Sequence, residues 1–194
     1  MSLPHPEVYL IRHGETDWAR TGRHTGRRDL PLNDQGIEEA RALRPRLAGI
    51  EFHNVLVSTL QRARSTCDLA GFGSKASVDP RLVEWNYGDF EGQTQAEIHQ
   101  TFPGWNVFDD GCPGGESVKD VAARADAVVA DLRKLTGRTI VFAHGHFLRM
   151  LGARWCGLGP SVARSLLLQT SGVCILGYEK SLQNPVIRLW NRRD

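Results

Sequence analysis

Short apolar runs that stop at polar loops alternate along this chain with stretches of helical period. Residues 8–11 form a β-type run that ends at Arg12-His13-Gly14, the pattern of a strand buried on both faces that delivers a loop at its C-terminal end. Residues 54–57 read the same way ahead of Ser58, and residues 139–143 do so ahead of His144-Gly145-His146. Asn33 or Asp34 can cap a helix reaching about residue 48, with Ile37, Ala40, Leu43 and Leu47 near helical spacing and Pro45 expected to bend or shorten it. Ser58 reads as the cap of the next helix, on which Ser58, Arg62 and Thr66 recur every four positions and share one face. Ser117 opens the clearest helix, where Val118, Val121, Ala122, Ala125, Val128, Val129, Leu132 and Leu135 make an apolar stripe before Gly137. Another helix is expected from the 144–146 loop through Trp155. Residues 173–178 and 186–190, separated by a polar segment containing Asn184-Pro185, read as a closing antiparallel hairpin. The class is α/β: a mostly parallel central sheet flanked by helices, with a C-terminal antiparallel strand pair.

Length and composition narrow this picture. At 194 residues the chain suits a single domain spanning 1–194. Hydrophobic residues at 41% and charged residues at 24% exclude a fibrous or wholly disordered chain. The net charge of +2 supplies no global pull toward nucleic acid or membranes, so any recognition of anions must be local. No apolar run approaches a bilayer span, and the start Met1-Ser2-Leu3-Pro4-His5 lacks the basic and apolar regions of a leader, so a cytoplasmic protein is expected. Cys67, Cys112, Cys156 and Cys174 are scattered without a paired motif, which fits structural thiols in a reducing compartment. Cys112, between Gly111 and Pro113, is the one expected to be exposed.

The chemistry gathers at the strand ends. Arg12-His13-Gly14-Glu15-Thr16 sets a permanent cation beside a potential nucleophile, with a glycine that lets backbone approach a ligand. Arg62 falls on the first turn of its helix, where the dipole and the guanidinium both favour an anion. His144 can donate to the same oxygens, with the N–H of Gly145 beside it. Parallel strands direct their C-termini to one sheet edge, so these four side chains should converge. An acid is also needed. Glu84 follows two apolar residues and has aromatic neighbours, which would desolvate it and help it hold a proton, but Glu91 or Asp89 fits that role equally well by pattern.

These motifs together resemble the histidine phosphatase superfamily, also called phosphoglycerate mutase-like. The resemblance rests on RHGET at residues 12–16, SxxxRAxxT at 58–66, LxExxYGxxEG at 82–92 and AHG at 143–145, with His24-Thr25-Gly26 and the LNDQG stretch at 32–36, and it covers nearly the whole chain. It implies that His13 attacks phosphorus in line to form a phosphohistidine while Arg12, Arg62 and a protonated His144 hold the transferring oxygens. It also implies that Glu84, rather than Glu91, is the proton donor. Thr25, Gly26 and Gly145 match positions that touch phosphate in relatives, and Tyr87 matches one that lines the substrate pocket. No cofactor and no metal are implied; a metal reading of His144 and His146 with His13 and His24 lacks carboxylates at ligand spacing.

The chain departs from the phosphoglycerate mutases, which resemblance would align with Asn at Ala19, Arg at Trp85 and Lys at Gln95. Without those groups a carboxylate and a second phosphate would be poorly held, which favours hydrolysis over mutase turnover. The nearer resemblance is to fungal-type sedoheptulose-1,7-bisphosphatases and bacterial acid phosphatases, through WxYGDxEG at 85–92, Trp105-Asn106, Asp110-Gly111-Cys112, Gly115-Glu116, and the 142–146 segment followed by Leu148-Arg149. His146 stands where mutases carry Asn. The expected substrate is a sugar phosphate or bisphosphate, with broad acid phosphatase and phosphoglycerate mutase as alternatives. Tyr87 and Trp105 would line the pocket, and Arg23, Arg27 and His146 are candidates for a distal phosphate. A small phosphate ester is the expected partner, with no nucleic acid and no membrane; a homodimer is the one assembly allowed for.

Overall fold

The computed structural model describes residues 5–194, so residues 1–4, where a leader would begin, lie outside the described part. Its strands are β1 (Glu7–Arg12), β2 (Asn54–Val57), β3 (Ala76–Val78), β4 (Arg138–Ala143), β5 (Val173–Tyr178) and β6 (Pro185–Arg192). The helices are α1 (Asp17–Arg20), α2 (Asp34–Arg46), α3 (Gln61–Leu69), α4 (Gln95–Thr101), α5 (Val107–Asp110), α6 (Val118–Leu132) and α7 (Gly145–Trp155). The six strands form one sheet in the order β3-β2-β4-β1-β5-β6. The pairings β3–β2, β2–β4 and β4–β1 are parallel, and β1–β5 and β5–β6 are antiparallel.

Alternation along β1 and β4 divides the core. Val8 and Leu10 with Val141 and Ala143 face α6 and α7, while Tyr9 and Ile11 with Ile140 and Phe142 face Leu43 of α2 and Ala63 and Cys67 of α3. Both faces of the central strands are therefore buried, at roughly 1.5–3 kcal/mol for each large aliphatic side chain. Among the described residues no helix is long and apolar enough to cross a membrane.

Several local expectations are corrected. Helix α2 ends at Arg46 with Pro45 in its last turn, in keeping with the expected shortening, and the Leu47 N–H still reaches Leu43 O at 3.0 Å. Helix α3 begins at Gln61, and its first N–H is taken by the Asp29 carboxylate at 2.7 Å rather than by a Ser58 cap. Helix α6 is capped as expected by Ser117, in a capping box with Asp120, but closes at Leu132. Cys112 is buried, not exposed, and burial pushes its thiol up to about 12. Helix α4 went unread, although Thr94 and Glu97 form a second capping box.

Candidate active site

The register of the three parallel strands places the functional loops side by side. Arg12 pairs with Ala143, and Val57 with Phe142. The ladder continues one step further, with the His13 N–H donating to Ala143 O at 3.0 Å and the Ser58 N–H to Phe142 O at 3.0 Å. His13, Ser58 and His144 thus emerge together at one sheet edge, and the rings of His13 and His144 stand 5.2 Å apart.

His13 Nδ1 lies 2.7 Å from the Gly14 carbonyl, which can only accept, so the ring carries its proton on Nδ1 and leaves a lone pair on Nε2. Burial, then the charges of Arg62 and Arg12, hold this imidazole well below its ordinary pKa. A neutral, oriented imidazole on the pocket wall is what a nucleophile requires. Packing also requires a glycine at position 14, because a Cβ there would clash with the Gly36 carbonyl oxygen at the start of α2. The Gly14 N–H goes to Thr66 Oγ1 at 3.0 Å, tying the loop to α3.

Two guanidiniums flank His13. Arg12 donates through Nη1 to Leu168 O at 2.6 Å, while its Nε is buried without a partner. Gly145 makes room for it, since a Cβ there would be 3.2 Å from Arg12 Cζ. Arg62, fully buried, donates to the carbonyls of Thr25, Gly26 and Arg28 and, through Nε, to His144 Nδ1. The expected histidinium at His144 is not found. Burial, then Arg62, His13 and Arg12, hold His144 well below its ordinary pKa. Its Nε2–H is directed to Ser58 Oγ at 2.8 Å, so it serves as a neutral link.

Glu84 faces the same pocket, nearly fully buried. Burial was expected, but its anchoring was not: the carboxylate accepts the N–H groups of Trp85, His146 and Phe147 at 2.9, 3.0 and 2.8 Å. The last two belong to the first turn of α7, so the start of that helix fixes where the Glu84 carboxyl group sits. Glu91 is placed elsewhere, accepting the N–H of Gly26 at 2.8 Å and of Arg28 at 3.4 Å, which holds the loop that Arg62 grips from the other side.

Of the residues singled out from sequence, Arg12, His13, Thr25, Glu84, Tyr87, Gly145 and His146 line one pocket. Arg62 and His144 stand behind its wall, and Gly26 lies off it with its N–H on Glu91. Tyr87 Oη lies 2.5 Å from His146 Nδ1, and burial, followed by Arg149, keeps that imidazole neutral. Trp105 packs edge-on behind His24, which itself reaches the pocket. Arg23 is on the wall but donates to Gly92 O and both Glu97 oxygens; Arg27 pairs with Glu116 away from it. Arg149 was missed as a site residue. It lines the pocket, stacks on Phe108 at 4.5 Å and donates to the carbonyls of Ala163 and Arg164. Its position, four residues past Gly145 on one helix face, was the available signal.

Comparison with known proteins agrees with this geometry. A family model described as the histidine phosphatase superfamily (branch 1) matches residues 8–193. An acid phosphatase of Mycobacterium tuberculosis is 36% identical over 94% of this chain and 92% of its own length. Sedoheptulose 1,7-bisphosphatase of Saccharomyces cerevisiae is 34% identical over 79% and 69%. Phosphoglycerate mutase-like relatives are also among the matches. The solved structure of a functionally characterised Mycobacterium tuberculosis open reading frame superposes with a TM-score of 0.91 at 33% identity, covering 98% of this chain and 99% of that one. A neutral strand-end histidine between two arginines thus stands within a fold and a sequence shared almost end to end, and the chain belongs to the histidine phosphatase superfamily.

Proposed function

We propose that this phosphatase hydrolyses sugar phosphates or bisphosphates, with His13 as nucleophile, Arg12 holding the phosphoryl oxygens, Arg62 and His144 behind them, and Glu84 as proton donor. The single observation that carries the mechanism is the His13 Nδ1–H bond to Gly14 O, which leaves Nε2 as the reactive lone pair. Nε2 attacks phosphorus, the P–O bond breaks, and the departing oxygen takes a proton at Glu84. Water then gives a proton to Glu84 as its oxygen displaces His13 from phosphorus, and inorganic phosphate leaves. Phosphoryl transfer depends mainly on positioning and charge, which fixed guanidiniums supply without a cofactor.

Charge supports the substrate class. Arg12, Arg62 and Arg149 donate to carbonyls and an imidazole, and among the described residues none is in an ion pair with a carboxylate. Among the described residues Glu84 is the one acidic side chain on the wall, so the pocket suits a ligand with more than one negative charge. Arg149, unlike Arg23 and Arg27, has no carboxylate partner among the described residues and is suited to a distal phosphate. Tyr87, His24 and His146 are neutral polar groups fitted to sugar hydroxyls. Ala19 brings only a methyl group to the wall, Trp85 is fully buried with its indole N–H on Glu116 O, and Gln95 donates to Trp105 O. None offers a cation to a phosphoglycerate carboxylate. Four unpaired cysteines fit a reducing cytoplasm.

The test is kcat/KM for sedoheptulose-1,7-bisphosphate, fructose-1,6-bisphosphate, 3-phosphoglycerate and an aryl phosphate at one pH, with mutase turnover measured in parallel. The bisphosphates should lead. A preference for 3-phosphoglycerate, or mutase turnover above phosphate release, would overturn the assignment.

A further inference from the structure

The segment that carries Glu84 is irregular. It leaves a short 3-10 turn at Pro80–Leu82 and reaches the next one only at Gly88–Phe90, so its backbone groups have no sheet or helix to satisfy them. One side chain takes three of its carbonyls. Arg124, midway along α6, donates through Nη1 to the carbonyls of Arg81 at 2.8 Å and Val83 at 2.7 Å, and through Nη2 to that of Glu84 at 3.4 Å. Its Nε and Nη2 also form a two-pronged pair with Glu116, at 3.0 and 2.9 Å, and both side chains are largely buried.

The two partners of this pair extend its grip. The Glu116 carboxylate accepts the Asn86 N–H at 2.8 Å, and its carbonyl accepts the Trp85 indole N–H at 2.9 Å. The Arg124 guanidinium lies over the ring of Phe147, 4.4 Å from its centroid, and the Phe147 N–H is one of the three that hold the Glu84 carboxylate. Arg124 therefore touches the backbone that bears Glu84 and the residue that receives its side chain. Glu116 offsets its charge, so the pair acts on Glu84 chiefly through placement.

We propose that Arg124, paired with Glu116, is the positioning residue that fixes the Glu84 carboxyl against the leaving-group side of the pocket; this rests on the reading of Glu84 as the proton donor. The guanidinium fork is essential, because a lysine ammonium at the same place is a single donor point and cannot serve carbonyls and both carboxylate oxygens together. A displacement of the order of 1 Å can cost about 100-fold in rate.

The experiment compares Arg124→Gln and Arg124→Lys with Glu84→Gln and the unaltered protein, using kcat/KM on a sugar phosphate and on nitrophenyl phosphate. That parameter covers only the steps through leaving-group departure, and nitrophenolate needs little protonation. Both Arg124 variants should lose roughly 10- to 100-fold on the sugar phosphate and less than about 3-fold on the aryl ester, reproducing in weaker form the selectivity of Glu84→Gln. Thermal melting verifies folding, and if Arg124→Gln does not fold, Arg124→Lys decides by the same ratio. Equal losses on both esters, no loss on either, or full rescue by lysine would overturn the inference. An unselective Glu84→Gln would instead remove the proton-donor reading on which it stands.

Discussion

Arg62 Nε donates to His144 Nδ1 at 3.2 Å, which fixes the imidazole proton on Nε2, 2.8 Å from Ser58 Oγ. A guanidinium cannot accept, so the tautomer follows from the pair alone. His144 is therefore a neutral spacer that locks Arg62 in place, and the positive charge of the site comes from arginines. Two imidazoles side by side, both neutral, let His13 keep its lone pair.

Removing the far end of this chain tests it. Ser58→Ala leaves a buried Nε2–H without a partner, at a cost of about 1–3 kcal/mol. The melting temperature should fall by several degrees and kcat by at least tenfold, whereas Ser58→Thr should retain most of both. An unchanged kcat in a stable Ser58→Ala protein would show that the link is dispensable.

Acid should destabilise the fold through its histidines. His13, His24, His144 and His146 are all lowered, with burial the largest cause in each. Below the unfolded value of about 6.5 the unfolded chain binds protons that the native state refuses, so stability is fully present above that pH and is lost as pH falls toward the lowered native values. The melting temperature should be flat from neutral to mildly alkaline pH and drop below about 6. The slope should be shallower in His146→Asn. A melting temperature that rises on acidification would mean that these imidazoles are protonated in the fold.

Arg149→Gln should cut kcat/KM for a sugar bisphosphate by about 10- to 100-fold, the scale expected for losing a charge-assisted bond to phosphate. The loss on a small monophosphate should be a few-fold at most. Equal losses would assign Arg149 to the reacting phosphate or to the packing of Phe108.

In the proposed mechanism fixed guanidiniums stabilise the transferring group, so chelation should leave turnover intact. Loss of activity with a chelator, restored by a divalent ion on the pure protein, would replace this mechanism with a metal-dependent one.

Local pattern disclosed the strands β1, β2 and β4 and the loops they deliver, since burial on both faces writes itself as an unbroken apolar run. From there, convergence of Arg12, His13, Arg62 and His144 follows from parallel strand geometry. What pattern could not disclose was the use of each polar group. Ser58 has the residue type of a helix cap, but Asp29, 32 positions from Gln61, takes the first N–H of α3 and leaves the hydroxyl to His144. Cys112 sits between turn residues yet is buried in the same apolar cluster as Trp105, Val107 and Phe108. Arg124 and Glu84 are 40 positions apart and meet only in the fold. The charge state of His144 depends first on its complete burial and then on the neighbouring arginines, neither of which the spacing of residues along the chain encodes.

The central claim is that His13 carries the phosphoryl group. Rapid quenching of a turnover mixture with a labelled phosphate ester into alkali should trap phosphate on the protein that is stable to base and lost in acid, and peptide mapping should place it on His13. His13→Ala should trap none and lose nearly all turnover. Label on Ser58 or a cysteine, or near-normal activity in His13→Ala, would contradict the account.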